Sequence, residues 1–216
     1  VSEQLPFYER HELLEPRSRV LIFAGPNGAG KDTLEALFTE KEPEAQRIVR
    51  YITRPPATSE VDGRDYYFID DETFNVMIAE GEFVEHATYP GSKSGTSYAE
   101  VGEKLQAALF ATLTANFEDG FLLHQRLQEI QVASHCFFIA PYSEEEMIMN
   151  PEHYITVLRE RMSNRGRGTD HIEGRLVMAM RYRDQYLQVR DRVLFIDNSQ
   201  DQMAEAHRMI SRHLQQ

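Results

Sequence analysis

A single cysteine, Cys136, is all the thiol that the 216-residue chain holds. No intramolecular disulfide can form from it, and neither a zinc site nor a thiol framework can be built on cysteines, so a reducing, cytoplasmic setting is expected. Positive charge is also in short supply. Lys and Arg number 23 against 35 Asp and Glu, a net charge of -12. A nucleic-acid surface needs a basic face to neutralise phosphates, so no nucleic-acid partner is expected, although a small anionic substrate can still bind locally. Long apolar runs are missing as well. Residues 1–15 mix charge with apolar side chains where a signal peptide would be continuously apolar, and no later stretch has the length of a bilayer span, so no membrane partner is expected. With 41% hydrophobic residues, the chain can bury one substantial core. The expected organisation is a leader over residues 1–17, ended by Pro16, and one domain over 18–214.

What the sequence does contain is organised around residues 19–33. An apolar run of strand character, Val20-Leu21-Ile22-Phe23-Ala24, enters the turn Gly25-Pro26-Asn27-Gly28-Ala29-Gly30-Lys31, and the helix-forming run 34–38 leaves it. The spacing of Gly25, Gly30 and Lys31 fits G-x-x-x-x-G-K. Glycines let the backbone curl so that N–H groups converge on phosphate oxygens; Lys31 reaches the outer phosphates and the next helix adds its positive end. Residues Gly25, Asn27, Gly28, Ala29, Gly30, Lys31, Asp32 and Thr33 are therefore the candidate ATP-phosphate site. The position after the lysine ordinarily holds a Ser or Thr whose hydroxyl ligates magnesium, whereas here it is Asp32, with Thr33 one step later.

Beyond the loop, strand and helix patterns alternate. A strand is expected over 47–52, ended by Pro55-Pro56; then a strand over 65–69, a helix over 72–79 and a strand over 82–88 stopping at Pro90-Gly91. These form a small subdomain inserted in the middle of the chain. A helix over 98–109, a strand over 110–115, a helix over 122–130 and a strand over 135–140 follow. Ser143 with three glutamates marks a helix start, Pro151 interrupts the helix running to Met162, and a long helix covers 171–189. A strand over 193–197 and a helix over 201–214 close the chain. The fold class is α/β: a five-stranded parallel sheet covered on both faces, a small mixed α+β insertion over about 54–97, and a helical lid over about 153–180.

The phosphate loop, Thr53-Arg54-Pro55-Pro56, Glu60-Val61-Asp62-Gly63-Arg64-Asp65-Tyr66, Gly81-Glu82-Phe83-Val84-Glu85-His86-Ala87 and Gly95-Thr96-Ser97 resemble, in order and approximate spacing, the successive motifs of guanylate kinases. The resemblance implies an enzyme that transfers the γ-phosphoryl of ATP to GMP with Mg2+. It also implies that Lys31 holds ATP phosphates, Arg54 and Tyr66 the acceptor phosphate, and Glu85 with Thr96 the guanine. A carboxylate can accept from guanine N1–H and N2–H together, and adenine offers no such paired donors. On residue chemistry alone Arg54 fits an ordinary solvated loop arginine and Glu85 a surface acid; their roles come from the resemblance.

In the lid, Arg161 and Arg165 are four apart on one helix face, and Arg175 follows a polar turn. Three arginines converging on a transferring phosphoryl would neutralise its charge, and the resemblance implies that catalytic role for them together with Lys31. The alternative is a solvated surface on which Glu160 and Glu173 offset the arginines.

The chain departs from the family pattern at four places. Ala57 replaces a second acceptor-phosphate arginine and Ser94 a tyrosine, for which Lys93 is a candidate substitute; Thr114 and Asn116 replace two strand aspartates. Asp32 is accordingly the candidate metal ligand, a carboxylate moved from strand to loop, with helix capping as its rival role. A second family on the same fold, the ribose 1,5-bisphosphate phosphokinases, is similar in Gly30-Lys31-Asp32, Arg50-Tyr51-Ile52-Thr53-Arg54, Asn116 and Asn164-Arg165-Gly166-Arg167. A sugar-phosphate kinase and a catalytically weak binding module are therefore the alternative functions.

Overall fold

The computed structural model describes residues 17–164, 169–199 and 202–215. The expected leader, 1–17, lies almost entirely outside them. Five strands form one parallel sheet in the order β2-β7-β1-β8-β9: β1 Arg19–Ala24, β2 Ala45–Arg47, β7 Phe110–Ala115, β8 Ser134–Ala140 and β9 Leu194–Asp197. The run Val20 to Ala24 is fully excluded from solvent, as is Phe137 to Ala140. Strands covered on both faces require such continuous apolar runs, and this is why these two carry no polar alternation.

The chain divides into two compact units. One holds Glu44–Leu113, Leu122–Ser134 and the described residues up to Leu21; the other holds Ile22–Pro43, Thr114–Phe121 and the described residues from His135 on. The first unit contains a second, four-stranded sheet ordered β4-β3-β6-β5, made of β3 Arg50–Ile52, β4 Tyr66–Phe68, β5 Phe83–Tyr89 and β6 Ser92–Ser97. Strand β3 is parallel to β4 and antiparallel to β6, which is antiparallel to β5. Helix α2, Asp71–Ala79, begins with Asp70 accepting from the Thr73 N–H at 2.7 Å and packs Phe74 and Met77 on Phe83. A side chain at Gly95 would meet the Phe83 ring at 2.8 Å, so the glycine is what lets that ring reach Phe74, stacked 4.6 Å away. Helix α3, Tyr98–Ala107, is capped by Ser97, and helix α4 is Phe117–Glu129.

In the second unit, α1 Lys31–Lys41 follows the glycine turn. Helix α5, Glu144–Met149, is capped by Ser143, and only Asn150 separates it from α6, Pro151–Ser163: Asn150 caps α6 and Pro151 takes its first position, where a missing N–H costs nothing. Tyr154, Leu158 and Met162, one turn apart, form the buried stripe of α6. Helix α7 spans Thr169–Val189 and α8 spans Met203–Leu214, the latter burying Ala206 and Ile210.

Two expectations are corrected, and one strand is present where none was expected. The strand expected over 47–52 is two strands in two sheets, because the Ile48 N–H goes to the Thr112 carbonyl and the Val49 N–H to the Glu100 carboxylate, turning the chain from one ladder to the other. Strand β6 had no expectation attached: Ser92 to Ser97 has no apolar residue to alternate, and it is a strand because β3 and β5 bond it on both sides. Helix α4 starts five residues before 122. Asn116 accepts from the Asp119 N–H at 2.9 Å while the Asp119 carboxylate accepts from the Asn116 amide at 3.0 Å, a reciprocal cap read in the sequence as the end of a strand.

Candidate active site

The phosphate loop is built at the end of β1. Gly25, Gly28 and Gly30 have φ of +143°, +88° and +88°, which L side chains rarely adopt. Space excludes side chains too: a Cβ at Gly25 would lie 2.5 Å from the Ile139 carbonyl, and one at Gly30 would collide with the Asn198 amide. Gly30 is the N-cap of α1 and offers no side-chain hydrogen bond to the first turn, the end that an anionic phosphate satisfies. Lys31 folds back over the loop and donates to the Pro26 carbonyl at 2.8 Å. Asn27, Gly28, Gly30, Lys31 and Asp32 line one recess with Met162 and Arg175, while Gly25 and Ala29 are its buried frame and Thr33 is exposed on α1.

The recess is held from behind by Asn198, a residue that sequence reasoning missed. Its amide donates to the Ala29 carbonyl at 2.8 Å, its own N–H goes to the Ala140 carbonyl at 2.8 Å, and it is 3% exposed. The expected lid arginines divide. Arg175 lines the recess; Arg161 donates through both terminal nitrogens to the Asn198 carbonyl at 3.3 Å; Arg165 lies outside the described residues. Arg159, which no motif marked, pairs with Glu173 at 3.0 Å and ties α6 to α7. Glu173 thus offsets an arginine, though not one of the three expected in the lid.

Asp32 accepts from the Thr114 hydroxyl at 2.9 Å. Loop carboxylate and strand hydroxyl therefore meet, two oxygen donors beside the phosphate recess. Among the described residues no group of three or more His, Cys, Asp or Glu stands together as a metal site. A cation with Asp32 as its protein carboxylate would be completed by phosphate oxygens and water, which is how magnesium is usually held, and the two oxygens present fit it.

The acceptor half lies in the first unit. Glu85 and Thr96 are register partners on β5 and β6, and the Thr96 hydroxyl donates to Glu85 Oε1 at 2.7 Å. A bulge between Phe83 and Glu85 breaks the alternation of β5, so three consecutive residues, Phe83, Val84 and Glu85, are buried. Re-aiming a side chain is what bulges do, and it explains an acid that sequence chemistry reads as a surface residue. Arg50, at the head of β3, completes the group: Nη2 donates to Glu85 Oε1 at 2.7 Å and Nε to Thr96 Oγ1 at 3.2 Å, with Arg50 9%, Glu85 4% and Thr96 0% exposed. A lone arginine in a short strand gave no signal of this.

Arg54 and Tyr66 also meet, the guanidinium lying over the ring 5.3 Å from its centroid. Glu60, likewise missed, takes Arg54 in a bidentate pair at 2.6 Å and accepts from the Ala57 N–H at 2.7 Å. The hydrogen bonds of that pair raise the Arg54 pKa and hold the Glu60 carboxyl below the usual carboxylate range. Lys93 turns to α2, meeting Asn75 at 2.9 Å and Asp71 at 3.2 Å. Ser94 is buried beside Ile52 and Ala87 in the ladder.

The sequence model of guanylate kinase matches residues 17–172. The guanylate kinase of Thiobacillus denitrificans is 30% identical over 203 residues, 89% of this chain and 90% of that one. That of Gloeobacter violaceus is 35% identical over 181 residues, 81% of this chain and 80% of that one. A crystal structure of guanylate kinase from Anaplasma phagocytophilum shares the fold with a TM-score of 0.62, at 21% identity, over 94% of this chain and 87% of that chain. With its phosphate loop in place and its matched segment running from the first strand to the seventh helix, the chain belongs to the guanylate kinase family.

Proposed function

We propose that this protein is a phosphotransferase that moves the γ-phosphoryl of ATP to GMP. An oxygen of the acceptor phosphate bonds to the γ-phosphorus as the bond to the β-bridging oxygen breaks, giving GDP and ADP. Lys31 and the loop N–H groups hold the donor phosphates, and Arg175, Arg161 and Arg165 serve the charge that develops during transfer. Arg54 and Tyr66 hold the acceptor phosphate; Glu85 and Thr96 take the base. Residues 54–97 then form the acceptor-binding insertion and 153–180 the lid. Magnesium, held by Asp32 with Thr114 beside it, supplies charge neutralisation between the outer phosphates. A cytoplasmic enzyme acting on small nucleotides, with neither a nucleic-acid nor a membrane partner, agrees with the acidic balance and the buried free thiol of Cys136; among the described residues no helix is long and apolar enough to cross a membrane.

The observation that carries the reading is the contact of Glu85 with Thr96 on adjacent strands, a buried carboxylate and hydroxyl of the chemistry that guanine demands. One observation favours a second acceptor, a phosphorylated pentose such as ribose 1,5-bisphosphate: Glu85 already carries the charge of Arg50. ADP release from ATP and magnesium across GMP, dGMP, AMP, UMP and ribose 1,5-bisphosphate separates them. Turnover with GMP and dGMP alone is the expected result; turnover with the sugar alone replaces the first reading by the second.

A further inference from the structure

We propose that Arg50 is an internal competitor of the acceptor base, a specificity-determining residue that occupies Glu85 until GMP displaces it. The inference rests on Glu85 being the guanine-reading carboxylate, as proposed above.

In guanine, C2 is bonded to N1, N2 and N3, so the N1–H and N2–H edge is itself a guanidine fork, and a guanidinium presents the same kind of planar N–H donors to a carboxylate. Arg50 Nη2 stands 2.7 Å from Glu85 Oε1, the acid assigned to the base, and Arg50 Nε stands 3.2 Å from Thr96 Oγ1, the hydroxyl assigned with it. Both groups that would read guanine are thus engaged by a side chain that imitates it. The side chains of Arg50 and Glu85 are 10% and 1% exposed, so the pair is shielded from water and each partner compensates the other's charge. The bulge that turns Glu85 inward and the ladder that brings Thr96 to it serve an arginine as well as a base.

Two consequences follow for selectivity. A base must replace the Arg50 donors with its own, which guanine can do and adenine, lacking paired donors on that edge, cannot. The exchange also costs guanine part of its intrinsic affinity, because Glu85 Oε1 already accepts from Arg50 and Thr96.

The experiment measures GMP binding by calorimetry for wild type, Arg50→Ser and Arg50→Lys, each checked for fold by circular dichroism and thermal melting. Arg50→Ser removes the fork and is expected to tighten GMP by about tenfold or more, the worth of one charge-assisted hydrogen bond, with AMP unchanged. GMP should also raise its melting temperature more than that of wild type, since the base then supplies the missing donors. Arg50→Lys keeps a charge without the fork and should lie between. Weaker or unchanged GMP binding in folded Arg50→Ser overturns the proposal, showing that Arg50 assists the base or ignores it. Should Arg50→Ser not fold, Arg50→Lys decides alone: tighter GMP supports the competition and equal or weaker GMP overturns it. GMP turnover by wild type is read separately through ADP release, so failure of the competition and failure of the GMP reading give different results.

Discussion

Asp32 and Thr114 are 82 residues apart in the chain and joined by one hydrogen bond of 2.9 Å, the strand hydroxyl donating to the loop carboxylate. The bond orients a carboxylate at the edge of the phosphate recess. Asp32→Ser is expected to shift the magnesium midpoint at saturating ATP while costing at most about 1 kcal/mol of stability, the worth of an acid in a first helical turn. A magnesium titration checks it. An unchanged midpoint reduces Asp32 to a helix-capping residue.

Lys31→Ala should lower turnover by at least about two orders of magnitude and leave the fold intact. The substitution removes the bond to the Pro26 carbonyl, whose net worth is about 1 kcal/mol. Steady-state rates beside a thermal melt decide the matter. A folded, fully active variant removes the loop from catalysis.

Asn198→Ala leaves the buried Ala29 carbonyl without the amide that now donates to it at 2.8 Å. The expected loss is about 1–3 kcal/mol of stability, with weaker ATP binding because the loop loses its rear support. Denaturant melts and an ATP titration measure the two effects. Loss of stability with untouched ATP affinity would confine Asn198 to the core.

The Glu60 carboxyl is held below its ordinary range, chiefly by its hydrogen bonds with Arg54. A depressed acid contributes stability that is full above its unfolded pKa and is lost as pH falls through its folded pKa. The stability gap between wild type and Glu60→Gln should therefore narrow as pH drops from about 5 to about 3, and should also shrink in salt of about 1 M. The pair is partly solvated, so the gap near neutrality should not exceed about 1 kcal/mol. A gap that widens toward acid contradicts the pairing.

The core sheet and the phosphate loop were legible because each is local in sequence. Val20 to Ala24 is an uninterrupted apolar run, and the turn after it repeats glycine at fixed offsets. Arg50, Glu60 and Asn198 were not legible, because what gives each its role is a partner: Glu85 lies 35 residues from Arg50, and Ala29 lies 169 from Asn198. Glu60 is closer to Arg54, but an acid six residues beyond an arginine in a loop has no period to betray it. Strand β6 failed for a different reason. Its polar sequence is held by its neighbours in the sheet, and period-two reasoning needs apolar residues to count.

Gly30 is closed to other residues by two independent barriers, a left-handed φ of +88° and the Asn198 amide standing where its side chain would begin. Shortening Asn198 removes only the second, and it also removes the donor that the Ala29 carbonyl uses. A change at one position therefore brings no relief at the other. A lineage that loses Asn198 gains no freedom at Gly30, and one that changes Gly30 meets both obstacles at once, so drift along either path passes through a damaged loop. In a library that varies both codons, the double variants should be as depleted as the Gly30 singles, with no compensating combination among them.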